Sequence, residues 1–348
     1  MFFGQENGKR VYCLQTRRRG LLRTFVGAFL FCLVLSIGIG FIVIPLLRKL
    51  KIGQNILNYV TEHNYKSGTP TMGGVVFIVA TIIGFCLFSG KDAYLSLVCI
   101  AVGVSYMVVG FLDDFLKIKL KRNEGLSAIQ KTLFELAIAL IISFFSLSKG
   151  LTKIHLPFLS EVVDLGWWFV PLCVFIFLAS TNSVNLTDGL DGLAGGVSYI
   201  YFLAIAVIIA LQINNDSLIY ANANEYNNVA VLLFCLSGAT LGFLLFNTHK
   251  ATVFMGDTGS LSLGGFVAIT AIVTGNILFI PIIGITFVLS SISVIIQVIY
   301  FKRTGKRVFL MAPLHHHFQH KGYEESKIAI GYKLVTLFFA LISIISYL

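Results

Sequence analysis

Hydrophobic and polar positions along this chain separate into long blocks rather than short alternations. Ten apolar runs stand out, at about 24–47, 74–89, 93–112, 128–148, 167–181, 193–213, 229–247, 260–275, 277–301 and 328–347. A helix crosses the hydrocarbon layer with about 20 apolar residues, or about 17 when short. The runs at 167–181 and 260–275 fall below that length, as though bounded by loops that dip inward. Barrel strands would give much shorter stretches of alternating polarity. The pattern predicts an all-α integral membrane protein of about ten transmembrane helices. The first run is too long for a signal-peptide core and lacks a convincing cleavage site, so it should be retained. No internal repeat or low-complexity linker appears. The expected organisation is a basic N-terminal tail, 1–23, ahead of a single polytopic membrane domain, 24–348.

Composition sharpens this picture. Of 348 residues, 57% are hydrophobic and 12% charged, against about 25% charged in an ordinary soluble domain. So few charges cannot cover a soluble globule, and disorder is excluded on the same ground. The net charge of +10 would suit nucleic acid, but the basic residues sit in short clusters between apolar runs, as in loops facing the cytoplasm. Alternate loops (48–73, 113–127, 182–192, 248–259 and 302–327) hold Arg48, Lys49, Lys51, Lys66, Lys117, Lys119, Lys121, Arg122, Lys250, Lys302, Arg303, Lys306, Arg307, Lys321 and Lys327, whereas the opposite loops hold Lys91, Lys149 and Lys153. The first set is therefore expected inside, with both termini outside. The tail disagrees: Lys9, Arg10, Arg17, Arg18, Arg19 and Arg23 would ordinarily stay inside. Three readings remain open: the later loops outvote the tail, the span count is off by one, or translation starts further downstream. The cysteines form no C-x-x-C pair, and five lie in apolar runs, which reads as small buried hydrophobes.

The unusual polar residues collect on the basic side. Asp113 and Asp114 end the third run, and charge there is costly unless paired, hydrated or bound to a cation. Adjacent helical carboxylates diverge by about 100°, and Lys117 stands one turn on, so a helix-end ion pair also explains them. In TNSVNLTDGLDGLAGG, Asn182, Asn185, Asp188 and Asp191 recur every third residue. They cannot line one face of a straight helix, and the glycines suggest that the helix breaks and a loop carries the later members. Such a loop can bind a cation through oxygens, bring backbone close to a nucleotide, or be an ordinary turn. In NTHKATVFMGDTGSLSLGG, Asp257 lies among glycines and hydroxyls at a helix start, a natural phosphate site, and Phe254 could stack on a base or face lipid. In MAPLHHHFQHKGYEE, three consecutive histidines cannot face one way. Zinc is disfavoured without a Cys partner or H-E-x-x-H, so His315 and His316 are read as hydrogen-bond donors to phosphate or hydroxyl oxygens. KSGTPTMGG offers Lys66, Thr69 and Thr71 on a bent loop. Lys131 and Gln297 are weaker candidates. Carboxylates alone repel phosphates; with Mg²⁺ they bind them. The set suits an enzyme joining a phosphate-bearing lipid to a nucleotide.

DDFLK at 113–117, NLTDGLDGLA at 185–194, FMGDTGSL at 254–261, APLHHHF at 312–318 and KSGTPTMGG at 66–74 resemble the phospho-N-acetylmuramoyl-pentapeptide transferase family, within the polyprenyl-phosphate N-acetylhexosamine-1-phosphate transferases. The long basic tail departs from that pattern. The resemblance implies a Mg²⁺-dependent reaction of UDP-MurNAc-pentapeptide with undecaprenyl phosphate, giving lipid I and UMP, at the cytoplasmic face of the bacterial plasma membrane. It implies that Asp257 is the principal metal ligand and that Asp113 and Asp114 are catalytic. Lys66, Thr71, Lys117, Lys131, Asn182, Asn185, Asp188, Asp191, Asn247, Phe254, Gln297, His315 and His316 are expected as active-site or substrate contacts, with Phe254 and Asp191 near the uridine. A homodimer is a further family expectation; nucleic acid is not an expected partner. The rival enzyme is a transferase using UDP-GlcNAc. A secondary transporter would need mid-span charges and repeated halves; here the acidic motifs sit at the cytoplasmic ends of the runs and no repeat is visible.

Overall fold

Inside a bilayer each backbone N–H and C=O must be satisfied within its own segment, so long apolar runs fold as helices. The computed structural model of the chain describes residues 3–49, 68–120, 125–159, 161–215, 217–220 and 222–347, with side chains from residue 20 onward. Among the described residues, nine helices are long and apolar enough to cross a membrane. These are α1 (Phe3–Lys49, apolar from Gly20), α3 (Tyr94–Leu120), α4 (Ala128–Ser148), α5 (Phe169–Thr187), α6 (Leu193–Asn214), α7 (Ala223–Asn247), α8 (Gly256–Thr274), α10 (Ile285–Thr304) and α12 (Glu325–Ile345). The chain is a multi-pass membrane protein. The remaining helices are α2 (Gly74–Phe88), apolar but of 15 residues, α9 (Phe279–Ile283) and α11 (Leu314–His320).

Three of the expected runs change. The run at 167–181 is not short, because α5 continues through Asn182 and Asn185 to Thr187. The run at 260–275 likewise starts four residues earlier, at Gly256, and takes in Asp257. Both polar ends stay helical because neighbouring helices supply their partners. The run at 277–301 is not one helix: it is interrupted at Gly284, between α9 and α10. Between α4 and α5 a small antiparallel hairpin, β1 (Lys153–His155) with β2 (Val162–Asp164), pairs Ile154 with Val163. Helix α1 is continuous in backbone from Phe3 to Lys49. Of the cysteines, Cys32, Cys99, Cys173 and Cys235 are buried as expected, whereas Cys86 is exposed.

The interior of the bundle is α6, α7 and α8. In their most apolar windows 78%, 78% and 89% of residues are buried, against 22% in α1 and 17% in α4. Helix α8 is the most buried yet among the least apolar of the nine, which apolar burial alone does not explain. Its sequence, GDTGSLSLGGFVAITAIVT, is rich in small residues, and small residues let helix backbones approach closely where lipid provides no hydrophobic drive. A Cβ at Gly110 of α3 would collide with the Asp257 carbonyl, one at Gly74 of α2 with Gly259, and one at Gly264 of α8 with Thr181 of α5. Ser262 Oγ donates to the Gly103 carbonyl of α3 at 2.8 Å. Three neighbours thus press onto α8.

Overpacking a tight contact costs about 1–3 kcal/mol. Gly264→Val is therefore expected to lower the thermal midpoint of the detergent-solubilised protein by several degrees. An unchanged midpoint would show that the α5–α8 approach is not tight.

Candidate active site

Asp113 and Asp114 lie near the end of α3, and Asp257 in the first turn of α8. Oxygens of the three carboxylates lie within 4.8 Å of one another. The divergence of adjacent helical side chains gives the first two separate tasks. Asp114, fully buried, accepts from the backbone of Asp257 (3.3 Å) and from the backbone and hydroxyl of Thr258 (3.0 and 2.7 Å). It thus caps α8 from another helix, where the helix dipole favours negative charge. Gly256, at φ +72°, makes the turn before this cap; a Cβ there would collide with Asp114 and Thr71. Asp113 accepts from the Leu126 backbone at 2.8 Å and pairs with Lys117 at 2.5 Å. The ion pair anticipated from spacing exists, but Lys117 also reaches Asp257 at 3.1 Å.

Asp257 is the meeting point. Its Oδ2 accepts from Lys117 and, at 2.9 Å, from Lys131, while its Oδ1 accepts from Asn185 at 2.8 Å. Lys131 is positioned by a capping box: Ser127 accepts from the Gln130 backbone and Gln130 from that of Ser127, a reciprocal closure that starts α4 one turn before the lysine. Asn185 sits on α5 and also donates to Ser260 at 2.9 Å.

One residue escaped the sequence reading. Glu135 of α4 is buried, and its Oε2 accepts from Thr181 Oγ1 (3.1 Å) and Asn182 Nδ2 (2.8 Å). Tyr106 donates to its backbone carbonyl at 3.1 Å. An acidic residue inside an apolar run, one turn beyond Lys131, was the available signal.

The other expected residues fall into two groups. Thr71 is buried beside Gly256, and the strand-like stretch around it is tied to the α7–α8 connection: Phe254 N donates to Pro70 O at 2.8 Å, Gly73 N to Phe254 O at 2.9 Å. Phe254 is half-buried there. Buried Asn247 donates to Val253 O at 3.0 Å and shapes the same connection. Lys66 lies outside the described residues. The helix break expected in 181–196 occurs at Asp188–Gly192, with half-buried Asp188 ending α5 and Gly192 at φ +65° opening α6. In this turn Asp191 N donates to Glu325 Oε1 (2.6 Å), and Asp191 Oδ2 accepts from Ala251 N (3.0 Å). Gly189 abuts His315 and His316, where a Cβ would collide with both rings. The histidine helix thus joins the aspartate turn. Gln297 does not join either group: its Oε1 accepts from Val308 (3.1 Å) and Phe309 (2.9 Å), bracing the α10–α11 loop.

The profile of glycosyl transferase family 4 matches residues 95–275, and a phospho-N-acetylmuramoyl-pentapeptide-transferase signature matches 66–78. The phospho-N-acetylmuramoyl-pentapeptide-transferase of Thermoanaerobacter sp. (strain X514) is 43% identical over 318 residues, covering 91% of this chain and 96% of its own. That of Caldanaerobacter subterraneus subsp. tengcongensis is 44% identical over 327 residues (94% and 99%), and that of Halalkalibacterium halodurans 41% over 331 (94% and 97%). The chain belongs to the phospho-N-acetylmuramoyl-pentapeptide transferase family. It is a transferase, and all three carboxylates of its cluster lie within the matched glycosyl transferase region.

Two outcomes follow for this transferase. Because Glu135 acts on Asn182 through a hydrogen bond, Glu135→Ala and Asn182→Ala are expected each to reduce turnover about tenfold, and the double variant little further; full additivity would separate the two residues. Burial, with His316 beside it, pushes the His315 imidazole well below its ordinary value. Below about pH 6.5 the unfolded chain takes up a proton that folded His315 resists, so stability is lost as pH falls. His315→Gln should therefore lose less thermal stability on acidification than the unaltered chain; an equal loss removes His315 as the cause.

Proposed function

We propose that the chain transfers phospho-MurNAc-pentapeptide from UDP-MurNAc-pentapeptide to undecaprenyl phosphate, yielding lipid I and UMP, the first membrane step of peptidoglycan synthesis. The observation that carries this reading is the cluster of three carboxylates and two lysines drawn from α3, α4 and α8, in a chain whose relatives bear that transferase name. The excess of lysine and arginine in the alternate loops supports the reading that this end of the bundle faces the cytoplasm of a bacterial cell, with the termini opposite.

The cluster fits Mg²⁺ chemically, since its carboxylates offer the hard oxygen donors that ion takes. Asp257 would hold it, with Asp113 and Asp114 beside. Bound there, Mg²⁺ would neutralise phosphoryl charge. The protein's own part begins with the lipid phosphate, which is largely dianionic at pH 7 because its second pKa is near 6. A general base has little left to do. An oxygen of the lipid phosphate forms a bond to the β-phosphorus of the UDP-sugar, and the bond from that phosphorus to the bridging oxygen breaks, releasing UMP. Lys117 and Lys131 bring positive charge to the phosphates, and Asp113 orients Lys117 and the lipid phosphate. Asp114 holds the start of α8, and with it Asp257. Asn185 and Asn182 fix Asp257 and line the approach. Asp188, Asp191, Asn247, Phe254, Thr71 and Lys66 contact the nucleotide and its phosphates, His315 and His316 the diphosphate or sugar hydroxyls. Gln297 contributes by holding the loop ahead of the histidines. Catalysis rests on positioning and charge.

Asp257→Ala is expected to abolish UMP release while the protein stays folded in detergent; near-normal rates would remove Asp257 from its central role. Incubation with undecaprenyl phosphate, Mg²⁺ and either UDP-MurNAc-pentapeptide or UDP-GlcNAc tests the substrate. UMP release with the second alone would establish the rival reaction.

A further inference from the structure

Beside α11 and the start of α12 lies a cleft of about 590 Å³ lined by His249, Gln319, Tyr323, Glu324, Glu325 and Ser326 among others. That volume falls within the range of small-molecule sites. Its chemistry is acidic on a face otherwise dominated by lysine and arginine. Among the described residues, the other acidic side chains at this end of the bundle are Asp113, Asp114, Glu135, Asp188, Asp191 and Asp257, all in or against the expected motifs. Glu324 and Glu325 close the histidine motif; Glu325 turns inward to Asp191 and Glu324 outward.

The cleft is wired to the candidate active site. Glu325 is buried and receives the Asp191 backbone N–H, and polar atoms of Asp191, His249 and Glu325 lie within 4.8 Å of one another. Gln319 is hydrogen-bonded to His316 at 3.0 Å. One wall is therefore fixed to the turn that carries the aspartates. The other wall is accessible. Glu324 is the N-cap residue of α12, yet its side chain makes no cap hydrogen bond. Its partner is the ammonium of Lys327 at 3.3 Å, and the two side chains are 68% and 71% exposed. Such a pair contributes little and exchanges readily with another ammonium. Tyr323, 57% exposed, flanks it with an apolar face suited to a methylene stem.

We propose that this cleft recognises a free amino group on a side chain of the substrate's peptide, with Glu324 as its acceptor. The inference rests on the reading that the substrate is a UDP-linked sugar bearing a peptide, and it adds a specificity that reading does not contain. Three extended residues reach about 10 Å, so a side chain midway along a pentapeptide can enter a cleft adjoining the aspartate turn.

The test uses two UDP-MurNAc-pentapeptides differing only in that amine, one free and one N-acetylated, with UMP release followed for the unaltered chain and for Glu324→Gln. An ion pair to a carboxylate this exposed predicts that acetylation raises KM about two- to fivefold with kcat little changed. Glu324→Gln, at an exposed position that should not disturb folding, is expected to raise KM for the free amine and to abolish the discrimination. Lys327→Ala, which removes the competing ammonium, is expected to lower KM for the free amine. Equal KM values for the two substrates in the unaltered chain, or discrimination that survives Glu324→Gln, overturn the proposal while leaving the transferase reading intact. Release of UMP from neither substrate overturns both.

Discussion

A carboxylate removed from water inside a membrane protein is tolerable only if the protein replaces the lost hydration. Asp114 meets that condition at one place, the first turn of α8, where two backbone N–H groups and the Thr258 hydroxyl converge on it. The bond is reciprocal in its demands. Without Asp114 the start of α8 would leave buried donors unsatisfied, and without α8 the carboxylate would be stranded. The register of α3 against α8 is thereby locked at the level of the site. Because one of the two N–H groups belongs to Asp257, the position of the central carboxylate is set by the same contact.

The lysines and asparagine around Asp257 come from three other places: α3, α4 and α5. What lets three helices reach one side chain is the small-residue surface of α8, whose glycines and serines leave no bulk at the crossings with α3, α2 and α5. Close packing here serves geometry as much as stability. At the cluster the two lysines offset Asp113 and Asp257, while Asp114 is held by the donors of α8; bulkier crossings would hold these groups apart.

Much of this was legible in the sequence, and the limits are physical. Hydropathy located the spans because the bilayer imposes one length on all of them. It misplaced the ends of α5 and α8 because Asn182, Asn185 and Asp257 look like loop residues until partners on other helices are known. The grouping of Asp113, Asp114 and Asp257 followed from motif chemistry, but the division of labour between the adjacent pair did not, since it depends on which helix each faces. Glu135 was missed because an isolated acidic residue in an apolar run gives no hint of its target, Asn182, 47 residues away. Gln297 was singled out for its polarity within a span. Polarity alone does not distinguish a residue that touches substrate from one that ties down a loop. The interruption at Gly284 lies in an unbroken apolar run, where hydropathy carries no mark of it.

Helix α10 is among the least buried of the spans, with 22% of its apolar window covered by protein, yet the connection to α11 is slung from it. Gln297 holds the backbone at Val308 and Phe309, and Ser293 Oγ accepts from Leu314 N at 2.9 Å. The histidine helix is thus suspended from one of the spans most open to its surroundings. A tilt of α10 would carry this connection with it, so a bilayer thickness that changed the tilt would reach the helix bearing His315 and His316.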